Sequence, residues 1–383
     1  MTARRVRSQS PFIPTQKELE KRARDNPLVL ALRALPDASE DIQGPLSVED
    51  LPIRVPGVRT ELNPEQIQSA LDRLAFLKSK DINDYAANSR RSMRSDWRHW
   101  IAYCVAHDRV AMPISLADIT EFLDALIAAG YKRATLEHLL FTLKVSSQIW
   151  SCHSPTDSFE WKAYWRDRRR ERLTKRQTQA PSMNFEDLDA IVGAVDDNQP
   201  RSIRDALFAA CAYDLMARAS ELVAMRWDQI QFGADDIGGA NYIIERAKTD
   251  QEGEGATTYL TPETVALLRA WRPHSCSENP YVFHALPRYA GQPIDTTKPL
   301  NVREAGRIFD RLAIATGIGK ALSGHSARVG GAQDMTRADE SLPKIMQAGR
   351  WKSPRMPARY AEKELATIAG KGRRDAIARL RKK

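Results

Sequence analysis

The chain has 383 residues, enough for two domains with cores of their own, and its 42% hydrophobic and 28% charged residues are those of a globular protein. A formal net charge of +9 points to a polyanionic partner, for which nucleic acid and an anionic membrane surface are the usual candidates. No apolar run is long enough to span a bilayer and no hydrophobic segment follows the basic opening MTARRVRSQSP, so no membrane association is expected and the cytoplasm is the expected compartment.

Cys104, Cys152, Cys211 and Cys276 are widely spaced and form no C-x-x-C pair, which argues against a disulfide framework. His274, Cys276 and His284 match no standard ligand spacing, so no metal is expected. No GxxxxGK[ST] loop is present either, and no cofactor is expected.

Residues 1–60 hold seven prolines and no sustained hydrophobic period, and read as an extended or poorly ordered arm with at most a short helix near Gln16–Arg24. From Pro64 the period turns helical. PEQIQSALDRLAFLKSK and ANSRRSMRSDWRHWIAYCVAHD each predict a helix. Ser115 and Asp118 predict a capping box that opens SLADITEFLDALIAAG, ATLEHLLFTLKVSSQIW predicts a fourth helix, and Phe159–Leu173 a fifth. Together residues 61–173 predict a compact helical domain.

In its second helix Trp97, Trp100, Ile101 and Cys104 follow core spacing, which leaves Arg90, Arg91 and Arg94 for the opposite face, free to enter a groove. Basic residues cluster again in KAYWRDRRRERLTKR, where eight of fifteen are Lys or Arg. Arginine dominates both clusters, as suits forked contacts to phosphates and guanine edges.

Residues 174–184 lack apolar periodicity and contain a proline, so a linker is expected there. The second domain, residues 185–383, opens with helices over Phe185–Val195 and Ser202–Met216. Asn241–Ile244, the turn QEGEGA and Thr257–Leu260 predict a β-hairpin, and the remainder to Leu380 again predicts helices.

Four segments of this second domain carry groups of complementary chemistry. ARASELVAMRW sets Arg218 and Glu221 three apart, so the carboxylate can orient the guanidinium or neutralise a basic neighbour. RAKTDQEGEG puts Lys248 at the edge of the hairpin turn, where a long side chain can reach into a cleft. SGHSARVGGA sets His325 and Arg328 on one helix face, among small residues that suggest close packing. QAGRWKSPRMPARYAEK holds Trp351 and, nine residues on, Tyr360.

These segments, in this order, resemble the tyrosine recombinase, or phage integrase, family over roughly residues 65–365. Tryptophan stands at position 351 where most relatives carry histidine, and Ala217 and Ala219 flank Arg218 in a somewhat degenerate first motif. The resemblance implies a mainly α fold: a helical N-terminal core-binding domain, and an α-rich catalytic domain with a small antiparallel β-sheet, closing as a clamp on duplex DNA.

The residue types make chemical sense as one centre. Arg218 and Arg328 can clamp the non-bridging oxygens of a phosphodiester, and His325 and the indole N–H of Trp351 add two donors. Tyr360 becomes a usable nucleophile when its developing phenolate lies among these cations, and Lys248 is the candidate general acid for the departing sugar hydroxyl. One ester replaces another, so neither ATP nor a metal is needed.

The family precedent further implies a 3′-phosphotyrosine intermediate, a Holliday junction, and a homotetramer that synapses two inverted-repeat sites in double-stranded DNA, with a monomer or weak oligomer in its absence. It also implies base or backbone contacts by Arg90, Arg91, Arg94, Lys132, Arg133 and His138 from the first domain, and by Arg303 at a helix start in LNVREAGRIF. In the tail, Gly370-Lys371-Gly372 predicts a break before a short helix whose apolar face, Ile377 and Leu380, is too small to be stable alone, and those two residues are expected to dock on a neighbouring protomer. A type IB topoisomerase-like strand transferase and a non-catalytic site-specific DNA-binding protein are the alternatives.

Overall fold

The computed structural model describes residues 58–80, 85, 87–173, 179–233, 235–244, 255–275, 280–287 and 298–381. The expected arm, except its last three residues, and residues 245–254, which hold Lys248 and most of the hairpin turn, lie outside them. The chain divides into two compact units, Met1–Gln177 and Thr178–Lys383.

In the first unit, Asn63 starts helix α1 (Pro64–Ser79) with a reciprocal cap: its side chain accepts the Gln66 N–H at 2.8 Å and the Gln66 side chain accepts the Asn63 N–H at 3.0 Å. Helix α2 (Ala87–Ala106) buries Met93, Trp97, Trp100, Ile101 and Cys104. Arg90 is also buried, which corrects its assignment to the exposed face. It precedes Trp97 by seven residues, two helical turns, and therefore returns to the same side of the helix. Arg91 is exposed and Arg94 half-buried.

Helix α3 (Leu116–Ala128) begins at Ser115, whose hydroxyl accepts the Asp118 N–H at 3.0 Å. The second arm of the expected capping box differs, because the Asp118 carboxylate accepts the Ser115 hydroxyl at 2.7 Å. Helices α4 (Arg133–Ile149) and α5 (Phe159–Glu171) complete the bundle around Trp100, Phe122, Leu126, Leu136 and Trp150. The Trp100 indole is satisfied at depth, donating to the Ala111 carbonyl at 2.9 Å. Two short strands unforeseen from the sequence, β1 (Arg59–Thr60) and β2 (Val110–Met112), pair in parallel at its edge. They are too short to show an alternating pattern.

The second unit is built on helix α7 (Pro200–Asp214), in which every residue from Ile203 to Ala212 is buried. Around it pack α6 (Phe185–Gly193), α8 (Ala219–Val223), α9 (Pro262–Trp271), α10 (Val302–Ala315) and α11 (Ser326–Arg337). A helix buried all round carries no amphipathic stripe, and the run IRDALFAACA shows none.

A three-stranded antiparallel sheet flanks this core: β3 (Ile230–Phe232), β4 (Ala240–Ile244) and β5 (Ala256–Leu260), with Ile230 opposite Tyr242 and Tyr242 opposite Thr258. Helices α12 (Leu342–Gly349), α13 (Arg355–Tyr360) and α14 (Glu362–Leu380) end the chain. Helix α14 runs without interruption through Gly370-Lys371-Gly372, which corrects the expected break. Isolated glycines cost a helix about 1 kcal/mol each and need not end it. It buries none of its residues, and Ile377 and Leu380 are 44% and 69% exposed. No helix among the described residues is long and apolar enough to cross a membrane.

Candidate active site

The centre of the second unit is the N-terminal end of α11, and its depth is set by glycine. A Cβ on Gly330 would overlap the backbone of Met183 and Asn184, and one on Gly331 would strike the Met216 side chain. The small residues therefore let α11 lie directly against the 183–184 segment and the end of α7. Asp334 locks the same helix in place, accepting from the Phe185 N–H at 2.8 Å and the Tyr213 hydroxyl at 2.6 Å.

Arg328, one turn into α11, is 2% exposed. Its guanidinium donates to the Met216 carbonyl and, at 3.0 Å, to the Gly349 carbonyl. It also stacks 5.0 Å from the centre of the Trp351 ring. Burial, followed by the like charges of Arg218 and Arg350, pulls its pKa down to about 10. His325 is the N-cap of α11 rather than part of the helix, and is exposed.

Arg218 is the N-cap residue of α8 and Glu221 lies one turn on. Glu221 accepts the Arg218 backbone N–H at 3.0 Å and its Nη1 at 2.7 Å, and takes Nη2 of Arg350 at 2.6 Å. Burial disfavours the Glu221 carboxylate, but Arg350 and then Arg218 outweigh it and hold the group below the usual glutamate range.

Trp351 follows a left-handed residue and meets Tyr360 edge to face, with ring centres 5.7 Å apart. Gly349 makes this possible, since any Cβ there would run into the Trp351 ring. Tyr360 ends α13, and its carbonyl accepts from Gln179 Nε2 at 3.0 Å and Gln333 Nε2 at 3.1 Å. The tyrosine is thereby tied both to α11 and to the segment that enters the second unit. Of the expected linker, Gln179–Asn184 packs on this unit, with Met183 fully buried.

The structure thus brings Arg218, Glu221, Arg328, Trp351 and Tyr360 into one contiguous set, with His325 at its rim. Lys248 is outside the described residues. Three contributors were not foreseen: Arg350, and the amides of Gln179 and Gln333. Among the described residues no group of three His, Cys, Asp or Glu side chains is placed to hold a metal ion.

The residues expected to contact nucleic acid occupy varied settings. In the first unit Lys132 is the exposed N-cap of α4, and Arg133 is held by Glu137 at 2.8 Å. His138 meets the buried Asp96 of α2 at 2.5 Å, and Asp96 also accepts the Thr142 hydroxyl at 2.6 Å, so this carboxylate fixes the imidazole against α2. Arg91 donates to the Asn88 side chain at 2.7 Å. In the second unit Arg303 is exposed in the first turn of α10.

A mainly helical fold with a small antiparallel sheet, and a buried arginine stacked on a tryptophan that meets a tyrosine, form the architecture expected of a tyrosine recombinase. Residues 181–366, just under half of the chain, match the phage integrase family, so the second unit carries a domain of that kind. It is 27% identical over 295 residues to the recombinase Cre of Escherichia phage P1, spanning 73% of this chain and 85% of that one. Among solved structures it is similar to the XerH site-specific recombinase bound to palindromic difH substrate in a post-cleavage complex. That likeness has a TM-score of 0.53 at 12% identity and covers 92% of this chain and 94% of that one. A lambda integrase tetramer bound to a Holliday junction gives a TM-score of 0.52 at 16% identity, covering 78% of each chain. At these identities the two structures speak for the fold.

Proposed function

We propose that this chain is a site-specific DNA recombinase that cuts and rejoins duplex DNA through a covalent tyrosine link. The match of residues 181–366 to the phage integrase family, and the similarity to the recombinase Cre, support recombination at specific sites. The observation that carries the chemistry is the convergence of Arg328, Trp351 and Tyr360, guanidinium on indole on phenol ring, beside the Arg218–Glu221 pair.

In this reading a phosphodiester sits where the Arg218 and Arg328 guanidiniums face it. The Tyr360 oxygen attacks phosphorus, the bond to the sugar 5′-oxygen breaks, and the chain is left with a 3′-phosphotyrosine. The phenol proton is lost as the bond forms, and the departing 5′-oxygen takes a proton from Lys248. The arginines and His325 stabilise the extra charge on the pentacovalent phosphorus. A 5′-hydroxyl from a partner strand reverses the sequence, and two such exchanges pass through a Holliday junction.

The assembly this requires is a homotetramer on two inverted-repeat sites, with the helical first domain (61–173) and the catalytic domain (185–383), joined by a linker, both binding the duplex. The exposed Ile377 and Leu380 of α14 are the residues proposed to dock on a neighbouring protomer. Arg91, Arg94, Lys132, Arg133, His138 and Arg303 are the proposed DNA contacts. Arg90, being buried, contributes by holding α2.

The test is a duplex nicked near its cleavage point, incubated with wild-type protein and with Tyr360→Phe. The inverted repeat it carries is one the wild-type protein selects from a random duplex library. Wild-type protein should give a covalent adduct on a denaturing gel and the variant none, while both bind the duplex. An adduct retained by Tyr360→Phe would remove that residue as nucleophile. Site-independent nicking would favour a topoisomerase, and binding without any adduct a non-catalytic protein.

A further inference from the structure

The Glu221 carboxylate serves two guanidiniums, and they are not equivalent. The Arg218 side chain is 21% exposed, whereas Glu221 and Arg350 are each 8% exposed. A phosphate entering from solvent therefore meets Arg218 first. In the structure Arg218 spends its Nη1 donor on Glu221 at 2.7 Å. If it turned that donor to a phosphate with nothing in its place, a buried carboxylate would lose a charged partner, at a cost large enough to oppose the move.

Arg350 is built to prevent that loss. Its Nη2 already donates to Glu221 Oε2 at 2.6 Å, while its Nε and Nη1 are buried with no hydrogen-bond partner among the described residues. On a planar guanidinium both idle atoms flank Nη2, so either one can close a two-bond fork on a carboxylate. Idle buried donors are unfavourable and are kept where they have a use.

The backbone tells the same story. Arg350 ends α12 at φ 54° and ψ 47°, the left-handed conformation that glycine occupies most readily at this place in a helix. A long charged side chain there is retained against a backbone penalty. The carbonyl just before it, on Gly349, accepts from Arg328, and the residue just after it is Trp351, so the position is rigidly joined to the clamp.

We propose that Arg350 is a positioning residue that takes over the Glu221 carboxylate with its second donor and so releases Arg218 to the phosphodiester. This rests on the recombinase reading above. Arg350 itself need not touch DNA.

The test uses single-turnover cleavage of the same nicked duplex by full-length protein. Arg350→Gly suits the left-handed backbone and removes the whole side chain, guanidinium included. It should fold, bind the duplex within about threefold of wild type, and cleave roughly ten- to a hundredfold more slowly, the range for a misplaced catalytic group. Glu221→Gln should also slow cleavage. Because Arg350 acts through Glu221, the double variant should be no slower than the slower single variant. If Arg350→Gly does not fold, Arg350→Asn, which also tolerates the left-handed region, takes its place. Cleavage at the wild-type rate, or two defects that multiply in the double variant, would overturn the proposal. A wild-type protein that forms no Tyr360 adduct would instead overturn the recombinase reading, before any Arg350 variant is compared.

Discussion

Arg328→Lys is the sharpest probe of the phosphate clamp, since it keeps a cation and removes the planar fork. Arg328 donates to two carbonyls, Met216 and Gly349, from a position 2% exposed. A lysine of shorter reach keeps one of these bonds at best, so stability should fall by about 1.5–3 kcal/mol, the worth of a hydrogen bond to a charged group. For a unit of this size that lowers the melting temperature by roughly 2–4 °C per kcal/mol. The rate effect should be larger: losing one well-placed donor to the transition state costs on the order of a hundred- to a thousandfold.

The pH dependence adds a signature. Burial and then the Arg218 and Arg350 charges hold Arg328 down to about 10, still well above neutral. Its folded value lies below its free value, so the unfolded chain binds more protons in that alkaline window and stability rises there with pH. A free lysine starts lower, at about 10.4. The same burial and neighbours would push it toward neutrality, so the variant should regain rate as the pH falls from about 9 to about 6. Single-turnover cleavage across that range is the assay. A variant within about threefold of wild type at neutral pH, or a deficit that does not change with pH, would refute the clamp.

Three further outcomes follow from the packing. Gly330→Ala places a methyl group on the backbone of Met183 and Asn184, and should cost at least about 1–3 kcal/mol in urea unfolding, whereas Gly331→Ala meets only the Met216 side chain and should cost less. Equal unfolding midpoints for the wild type and both variants would exclude this account of the α11 contact. Arg303→Ala should weaken specific binding by about 1–3 kcal/mol and relax preference at one base position in a binding selection, while a uniform loss over all sequences would mark a phosphate contact instead. Truncation after Lys363 should leave half-site binding intact but reduce cooperative filling of a full inverted repeat in gel shifts. Undiminished cooperativity would show that Ile377 and Leu380 play no part in assembly.

Much of this architecture was legible because helices announce themselves. The helical period begins at Pro64, Ser115 lies just before its apolar stripe, and Trp97, Trp100, Ile101 and Cys104 repeat with the helical period, so the helices of the first unit could be laid out within a few residues. Charge alone puts Arg90 on the exposed face, but helical phase does not: seven residues before Trp97 lies on the Trp97 side. The strands β1 to β3 have two or three residues each, below the length at which alternation can be seen. In the site, Arg218, Glu221, Arg328, Trp351 and Tyr360 could be named because their residue types and order are distinctive. Arg350 could not. Its significance lies in a left-handed backbone and in burial against Glu221 from 129 residues away, and neither is written in the local sequence AGRWK.

The charge balance of the site shows what these positions achieve together. Among the described residues, Arg218, Arg328 and Arg350 converge with one carboxylate, Glu221, leaving a surplus of two positive charges among these four groups. A phosphodiester brings one negative charge and neutralises half of that surplus. On the proposed mechanism, attack by a phenolate-like oxygen would gather a second negative charge on the pentacovalent phosphorus, and only then would the two arginines of the clamp be fully matched. Interactions completed only in the transition state raise the rate of the chemical step rather than the affinity for the ground state. Pairing Arg350 with Glu221 preserves this arrangement, because a carboxylate answered by Arg350 no longer subtracts from the charge that Arg218 offers. The consequence is directional: variants of Arg218 and Arg328 should lose far more in cleavage rate than in DNA binding, and loss of Arg350 should resemble a weakened Arg218 rather than a weakened grip on DNA.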